Sequence, residues 1–170
     1  MVTEPSVNIT KQRELNMAFQ LSQRSLDKLE GVHPDLVKVV KLAITYTDVD
    51  FGVIYGVRDL ATQERLYKSG KSQTMASKHL VQEDGFSHAI DLMAYDGSNP
   101  SWDIVDYDNI ADAMRKAGKE LGVEIIWGAA WHKILTVSPD SAEDLMNEYV
   151  DLRRSEGRRP FIDGPHFQLA

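Results

Sequence analysis

An α+β fold is the class this sequence predicts, and three observations carry it. The stretch "HPDLVKVVKLAITYT" puts Leu36, Val39, Val40 and Ala43 on one helical face, at i, i+3, i+4 and i+7. Short runs such as "DFGVIYGV" (50–57) are rich in β-branched and aromatic residues and are bounded by glycine, which reads as strand. Helices and strands also mix without the regular βαβ cadence that builds a parallel sheet. A chain of 170 residues, 42% hydrophobic and 26% charged, fits one domain, residues 1–170, with a real core.

Taken in order, residues 12–29 place Leu15, Phe19, Leu26 and Leu29 at roughly helical spacing. Pro34 opens the next helix, where a first-turn proline is tolerated. After the strand at 50–57, "DLATQERLYKSG" (59–70) predicts a helix ending at Gly70, with Lys68 near the negative end of its dipole. "HAIDLMAY" (88–95) alternates as a strand does, and "DGSNPSW" after it reads as loop. A helix over 104–121 is stopped by Gly122, before the strand "VEIIWG". Ser138 and Pro139 look like an N-cap and first helical residue for "DSAEDLMNEYVDLRRSEG". "GPHFQL" (164–169) is the last expected strand.

Composition excludes several function classes. With no cysteine, disulfide frameworks, thiol catalysis and Cys-containing zinc sites are ruled out, so any metal must be held by His, Asp and Glu. A net charge of −7 argues against nonspecific nucleic-acid binding, and "RRSEGRR" (153–159) reads as a solvated helix end and loop. "MVTEPSVNITKQREL" shows no basic region followed by an apolar run, so no secretory signal is expected. No stretch approaches the roughly 20 apolar residues of a membrane span.

Of the five histidines, only those in two neighbourhoods combine with acids and strand-like backbone: 77–91 and 161–168. A catalytic zinc site commonly takes three protein ligands and leaves a fourth position for water. A carboxylate beside that water can take its proton. Two histidines, one aspartate ligand and one further acid would complete such a site, whereas ordinary surface or core-edge histidines are the competing reading. His33 and His132 are expected to be structural or surface residues. Asp59 and Glu64, on either side of the segment after Arg58, read as helix-surface or dipole-facing acids.

"SKH" followed by "HAIDL", with "DGPHFQL" at the C-terminus, resembles the M15 zinc peptidases of peptidoglycan. That group includes D-Ala-D-Ala carboxypeptidases and dipeptidases and the phage L-alanyl-D-glutamate endopeptidases. "SQRSLDKLEGVHPDLVKVVKLAI" and "GVRDLATQERLYKSGKSQT" are similar to the phage endolysin branch. The resemblance implies a Hedgehog/D-Ala-D-Ala peptidase-like fold, a small, mostly antiparallel sheet flanked by helices. It also implies Zn2+ held by His79, Asp91 and His166, with Asp163 as general base. Arg58 would bind substrate and support the oxyanion, Ser77 belongs to the Ser-x-His motif, and Gln63 matches a recurrent glutamine beside the substrate. The implied partner is the peptidoglycan stem peptide, cut between L-Ala and D-Glu by a monomer that neither binds nucleic acid nor enters the membrane. Such a lysin waits in the host cytoplasm for a holin to release it to the cell wall. A D,D-carboxypeptidase or dipeptidase, or a non-catalytic peptidoglycan-binding protein of the same fold, remain the alternatives.

The sequence departs from the pattern in the first motif. Ser87 stands where glycine is usual, and the gap from His79 to Asp91 is longer by "VQEDG" (81–85), which reads as a loop bulging between strands. Residues 133–160 look like a second insertion, expected to shape the substrate groove. His88 lies closer to Asp91 than His79 does. On a strand, though, residues three apart point to opposite faces, which favours His79 as ligand. Glu83 and Asp84 offer oxygens to a calcium ion, with a solvated loop as the preferred reading.

Overall fold

The computed structural model describes residues 18–170. A short helix α1 (Gln23–Lys28) starts the described chain, followed by α2 (Pro34–Tyr46), β1 (Asp50–Tyr55) and α3 (Leu60–Lys68). Then come β2 (Ala89–Asp96), β3 (Asn99–Ser101), α4 (Ile104–Leu121), β4 (Ile125–Trp127), α5 (Ala142–Ser155) and β5 (His166–Leu169). The strands form one antiparallel sheet in the order β1-β2-β5-β4. Strand β2 is its centre. Its first half pairs with β5 and its second half with β3, while β1 runs along the opposite edge. This is the α+β architecture expected of the sequence.

Alternation along β2 divides the sheet into two chemically different faces. Ile90, Leu92 and Ala94 are fully buried and join Phe167 of β5 and Trp127 of β4 in the core. Beneath them lie Leu36, Val39, Val40 and Ala43 of α2 and Ile110 and Met114 of α4, all fully buried. The helical stripe read in 36–43 is therefore the floor of the core. Asp91, in between, points to the other face.

Three elements differ from their sequence expectation. The helix expected over 12–29 begins only at Gln23 in the described residues, because Ser22 is extended and its Oγ accepts the Ser25 N–H as a cap. Residues 12–17 lie outside the described residues. Of the described residues that suggested the longer helix, Phe19 and Leu26 are exposed and Leu29 is buried. The segment 96–102 contains strand β3, since Gly97 takes a positive φ of 61° and turns the chain back onto β2. In the third case, Ser141 caps α5 rather than Ser138. Pro139 is displaced because the 138–141 segment is tied to α4: Arg115 donates to the Ser138 carbonyl and the Ala142 N–H to Asp112 Oδ1. These bonds dock the 133–160 segment onto the body of the fold.

One buried acid works against the fold. Asp108 Oδ1 has no hydrogen-bond partner among the described residues, and burial with nearby Glu143, Asp112 and Asp103 pushes its pKa up to about 6. A carboxyl raised in the folded state favours the protonated form. Its relative stabilisation is complete below the ordinary carboxylate value and is lost as pH rises through about 6. Asp108→Asn is expected to raise unfolding free energy at pH 8 by about 1–2 kcal/mol, allowing for screening, with the gain shrinking toward pH 4. Urea denaturation at the two pH values checks it, and an equal or lower stability at pH 8 refutes it.

Gly128 has a steric role. A Cβ there would sit 2.2 Å from the Asp163 carbonyl oxygen and 2.9 Å from His166 Cβ. Gly128→Ala is expected to cost about 1–3 kcal/mol by forcing the 163–166 turn outward. Thermal unfolding of the variant at wild-type stability would contradict that packing.

Candidate metal and catalytic centre

Strand register makes the first contact of the site. Asp91 of β2 and His166 of β5 are direct cross-strand partners, so their side chains share a face. The turn before His166 is pinned at both ends. Asp163 N–H donates to the Gly128 carbonyl, Gly128 N–H to the His166 carbonyl, and Trp127 Nε1 to the Gly164 carbonyl. His79 comes from the loop before β2. Its backbone N–H donates to Ser77 Oγ, and its carbonyl accepts the Arg58 N–H. The Ser-x-His motif is thus a local turn that ties the loop to the end of β1.

Three donor atoms converge. His79 Nε2 and His166 Nδ1 each lie 3.3 Å from Asp91 Oδ1. Each ring uses its other nitrogen elsewhere: His79 Nδ1 faces the Gly56 carbonyl at 2.8 Å, and His166 Nε2 faces Gln168 Oε1 at 2.9 Å. Both of those oxygens are acceptors, so the outer nitrogens carry the ring protons and the inner ones direct lone pairs toward Asp91. Asp91 Oδ1 is buried with no hydrogen-bond donor. Two imidazole lone pairs and a carboxylate oxygen in a buried cluster repel one another unless a cation lies between them. The donor set of two nitrogens and one oxygen fits a divalent metal such as zinc, with room for an exchangeable fourth ligand.

Protons on the inner nitrogens would relieve the same repulsion as a metal, and the electrostatics of the cluster without a metal take that form. Burial disfavours the Asp91 carboxylate, but His166 and His79 outweigh it and hold its pKa below the usual range. Burial likewise opposes an imidazolium at His166, yet the Asp91 charge raises its pKa. Asp163 moves the other way: burial and then the nearby Asp91 charge raise its pKa above that of a free aspartate. A carboxyl so placed is a stronger base than one in water.

Arg58 NH2 lies 3.9 Å from Asp91 Oδ2, and its NH1 donates to Gln63 Oε1 at 2.9 Å. Gln63 is fully buried on α3, and its amide nitrogen donates to Ser72 Oγ and to the Thr74 carbonyl. With no surface open to the site, Gln63 holds Arg58 and the 72–74 loop. Its place behind the guanidinium fits a residue that positions Arg58 rather than the direct substrate contact expected of it. Ser77 is buried too, its hydroxyl engaged with the His79 N–H.

These groups face one cavity of about 690 Å³ whose walls include Arg58, Ser77, His79, Asp91, Asp163 and His166. His88 stands outside it. Its Nε2 pairs with Asp84 Oδ2 at 2.7 Å and its ring packs edge-on against His33. His33 caps α2 by accepting the Asp35 N–H, and His132 faces Glu148. Asp59 caps α3 through the Thr62 N–H. At the variant position, Ser87 is fully buried with its hydroxyl near the carbonyls of Lys78 and Ala89.

Sequence reasoning missed two supports of the site. Gln168 shares the face of His166 by strand alternation, so the "HFQ" pattern carried a signal for it. Trp131 stacks on His166 with ring centroids 5.2 Å apart, and its Nε1 donates to the Phe161 carbonyl. No local pattern marks that long-range contact.

Comparisons with known proteins place the chain. Residues 17–170 match the family model described as phage L-alanyl-D-glutamate peptidase. The L-alanyl-D-glutamate peptidase of Escherichia phage T5 is 30% identical over 157 residues, covering 90% of this chain and 99% of the relative. The crystal structure of the Serratia marcescens L-Ala D-Glu endopeptidase ChiX is 34% identical and superposes with a TM-score of 0.67, covering 91% of this chain and 92% of that one. A family match over residues 17–170, a relative 30% identical over nearly its whole length and a shared fold agree: the chain belongs to the phage L-alanyl-D-glutamate peptidase family.

Proposed function

We propose that this protein is a zinc endopeptidase that hydrolyses the amide between L-Ala and D-Glu in the peptidoglycan stem peptide. The observation that carries the reading is the convergence of His79 Nε2 and His166 Nδ1 on Asp91 Oδ1, beside Asp163 and Arg58 in one cavity. A divalent cation held by these three residues supplies Lewis acidity, lowering the pKa of a water and polarising the scissile carbonyl.

The remaining chemistry belongs to the chain. Asp163 accepts a proton from the attacking water as the new C–O bond forms. It returns that proton to the leaving amine nitrogen as the C–N bond breaks, giving a carboxyl product and an amine product. Arg58, fixed by Gln63, places a cation where a substrate carboxylate or the developing oxyanion sits. Ser77 keeps the His79 turn in shape. Trp131, Tyr149 and Phe161 form an apolar wall of the same cavity, and Tyr149 comes from the 133–160 insertion. That insertion shapes the groove on one side of the stem peptide. Among the described residues no helix is long and apolar enough to cross a membrane. Release from the host cytoplasm by a holin is the route that fits the family resemblance.

Mass spectrometry of peptidoglycan digested with and without a chelator tests bond and metal together. Free L-Ala ends and D-Glu amino ends are expected, and chelation abolishes them. Release of D-Ala alone would instead show a D,D-carboxypeptidase, and an inert protein would show a binding module of the same fold.

The roles of the side chains separate kinetically. Asp163→Asn is expected to lower kcat by about 10²–10⁴ while zinc content stays at the wild-type level. Undiminished lysis by this variant rules out Asp163 as the base. Arg58→Ala is expected to lower kcat/KM by about 10²–10³. Gln63→Ala is expected to cost about 10²-fold by letting Arg58 drift. If Gln63→Ala lowers kcat/KM further when Arg58 is already alanine, Gln63 does not act through Arg58.

A further inference from the structure

Outside the catalytic cavity, His33, Asp84 and His88 bring a second set of two imidazoles and one carboxylate together. Asp84 Oδ2 lies 2.7 Å from His88 Nε2 and 3.7 Å from His33 Nε2, and the two rings meet edge-on at 5.3 Å between centroids. Ligands on a tetrahedral zinc with bonds near 2.1 Å sit about 3.4 Å apart, so small side-chain rotations bring all three into a coordination sphere. We propose that these residues form a second divalent transition-metal site, which fastens the 81–85 turn to the start of α2.

The backbone holds the ligands close without help from any metal. His33 N–H donates to the Ser87 carbonyl and Ser87 N–H to the Gly31 carbonyl, so the chain before α2 and the chain before β2 run as a two-residue ladder. His88 N–H donates to the Lys78 carbonyl. The 81–85 turn closes through Gln82 N–H to the Phe86 carbonyl, with Gly85 at a φ of 87°, a conformation that L side chains rarely adopt. Asp84 Oδ1 accepts the Phe86 N–H, which orients the carboxylate and leaves Oδ2 for the ion. All three residues touch solvent, with Asp84 exposed, so the site is open to a metal from outside.

The donor set selects the class of ion. Calcium takes six to eight oxygen ligands, and this site offers one carboxylate against two imidazole nitrogens. Glu83 is not part of the cluster. A calcium ion at Glu83 and Asp84 therefore gives way to an ion that prefers imidazole, such as zinc, nickel or copper. One local bond changes on binding. His33 Nδ1 accepts the Asp35 N–H in the helix cap, which leaves the ring proton on Nε2. Coordination through Nε2 moves that proton to Nδ1 and gives up the cap bond.

Equilibrium dialysis of the full chain against Zn2+, followed by elemental analysis, reads the number of ions bound. Two equivalents per chain are expected in the wild type. One is expected in His88→Gln and in His33→Asn, a substitution that keeps a good helix cap while removing the imidazole. Asp91→Asn is also expected to hold one, lost on adding His88→Gln. Far-UV circular dichroism of each variant checks that it is folded. Thermal unfolding adds a second readout: added Zn2+ raises the midpoint of Asp91→Asn, and His33→Asn or His88→Gln removes that rise. A stoichiometry unchanged by both His33→Asn and His88→Gln overturns the proposal. A single equivalent lost in His88→Gln but kept in Asp91→Asn would support the second site and count against zinc at the catalytic centre, so the two readings fail separately.

Discussion

The candidate metal centre is founded on the pairing of β2 with β5. Asp91 and His166 are opposite each other in that ladder, so the carboxylate and one imidazole meet through backbone register alone. A slip of one residue would turn His166 to the core face and bring Phe167 toward Asp91. The register is secured from the other side by the core. Ile90 pairs with Phe167, and Phe167 with Trp127, whose rings stack at 6.4 Å between centroids. Burying these apolar residues favours the same alignment that brings the polar donors together.

The polar face carries a cost that the fold absorbs through hydrogen bonds from backbone and side chains. A buried carboxylate oxygen with no donor, such as Asp91 Oδ1, is expensive, and two neutral imidazoles with lone pairs aimed at it do not relieve it. What the chain does supply is orientation. The Gly56 carbonyl and Gln168 hold the outer ring nitrogens, and Trp131 stacks on one ring. The cluster thus suits a cation between its donors better than it suits its own stability. Asp163 shares the arrangement, because Gly128 lets the 163–166 turn come close enough for its carboxyl to face the same cavity. Gly128 is selected here by space alone, since its backbone conformation is open to any residue.

How much of this was legible in the sequence depends on how local each cause is. The α2 stripe, the Gly122 stop and the alternation around Asp91 arise within one element, and they read correctly. The convergence of His79, Asp91 and His166 into a group that could hold a metal was legible through motif resemblance, and strand periodicity independently argued for His79 over His88. By contrast, the cap at Ser141 rather than Ser138 is set by Arg115 and Asp112, residues on another helix. In the described part of the 12–29 segment the helix is confined to Gln23–Lys28, because Phe19 and Leu26 stay exposed and give the apolar spacing little burial to draw on. Gln63 shows the same limit for a site residue: its position after Arg58 was visible, but its burial behind the guanidinium was not.

The chain from 77 to 91 gathers these principles in one ribbon. His79 and Asp91, at its two ends, face the cavity, whereas Asp84 and His88 turn toward α2. Extra length in a loop costs little, and here it returns the chain to β2 in register while carrying an acid to a place where two histidines already stand. The bridge between Val32 and Ser87 supports that placement, and the outer and inner clusters are connected through a few backbone hydrogen bonds. Stiffening the turn at Asp84 therefore restricts the loop that delivers His79. A loop that carries a candidate metal ligand loses precision through motion, and the proposed cross-link on its far side would limit that motion without entering the cavity.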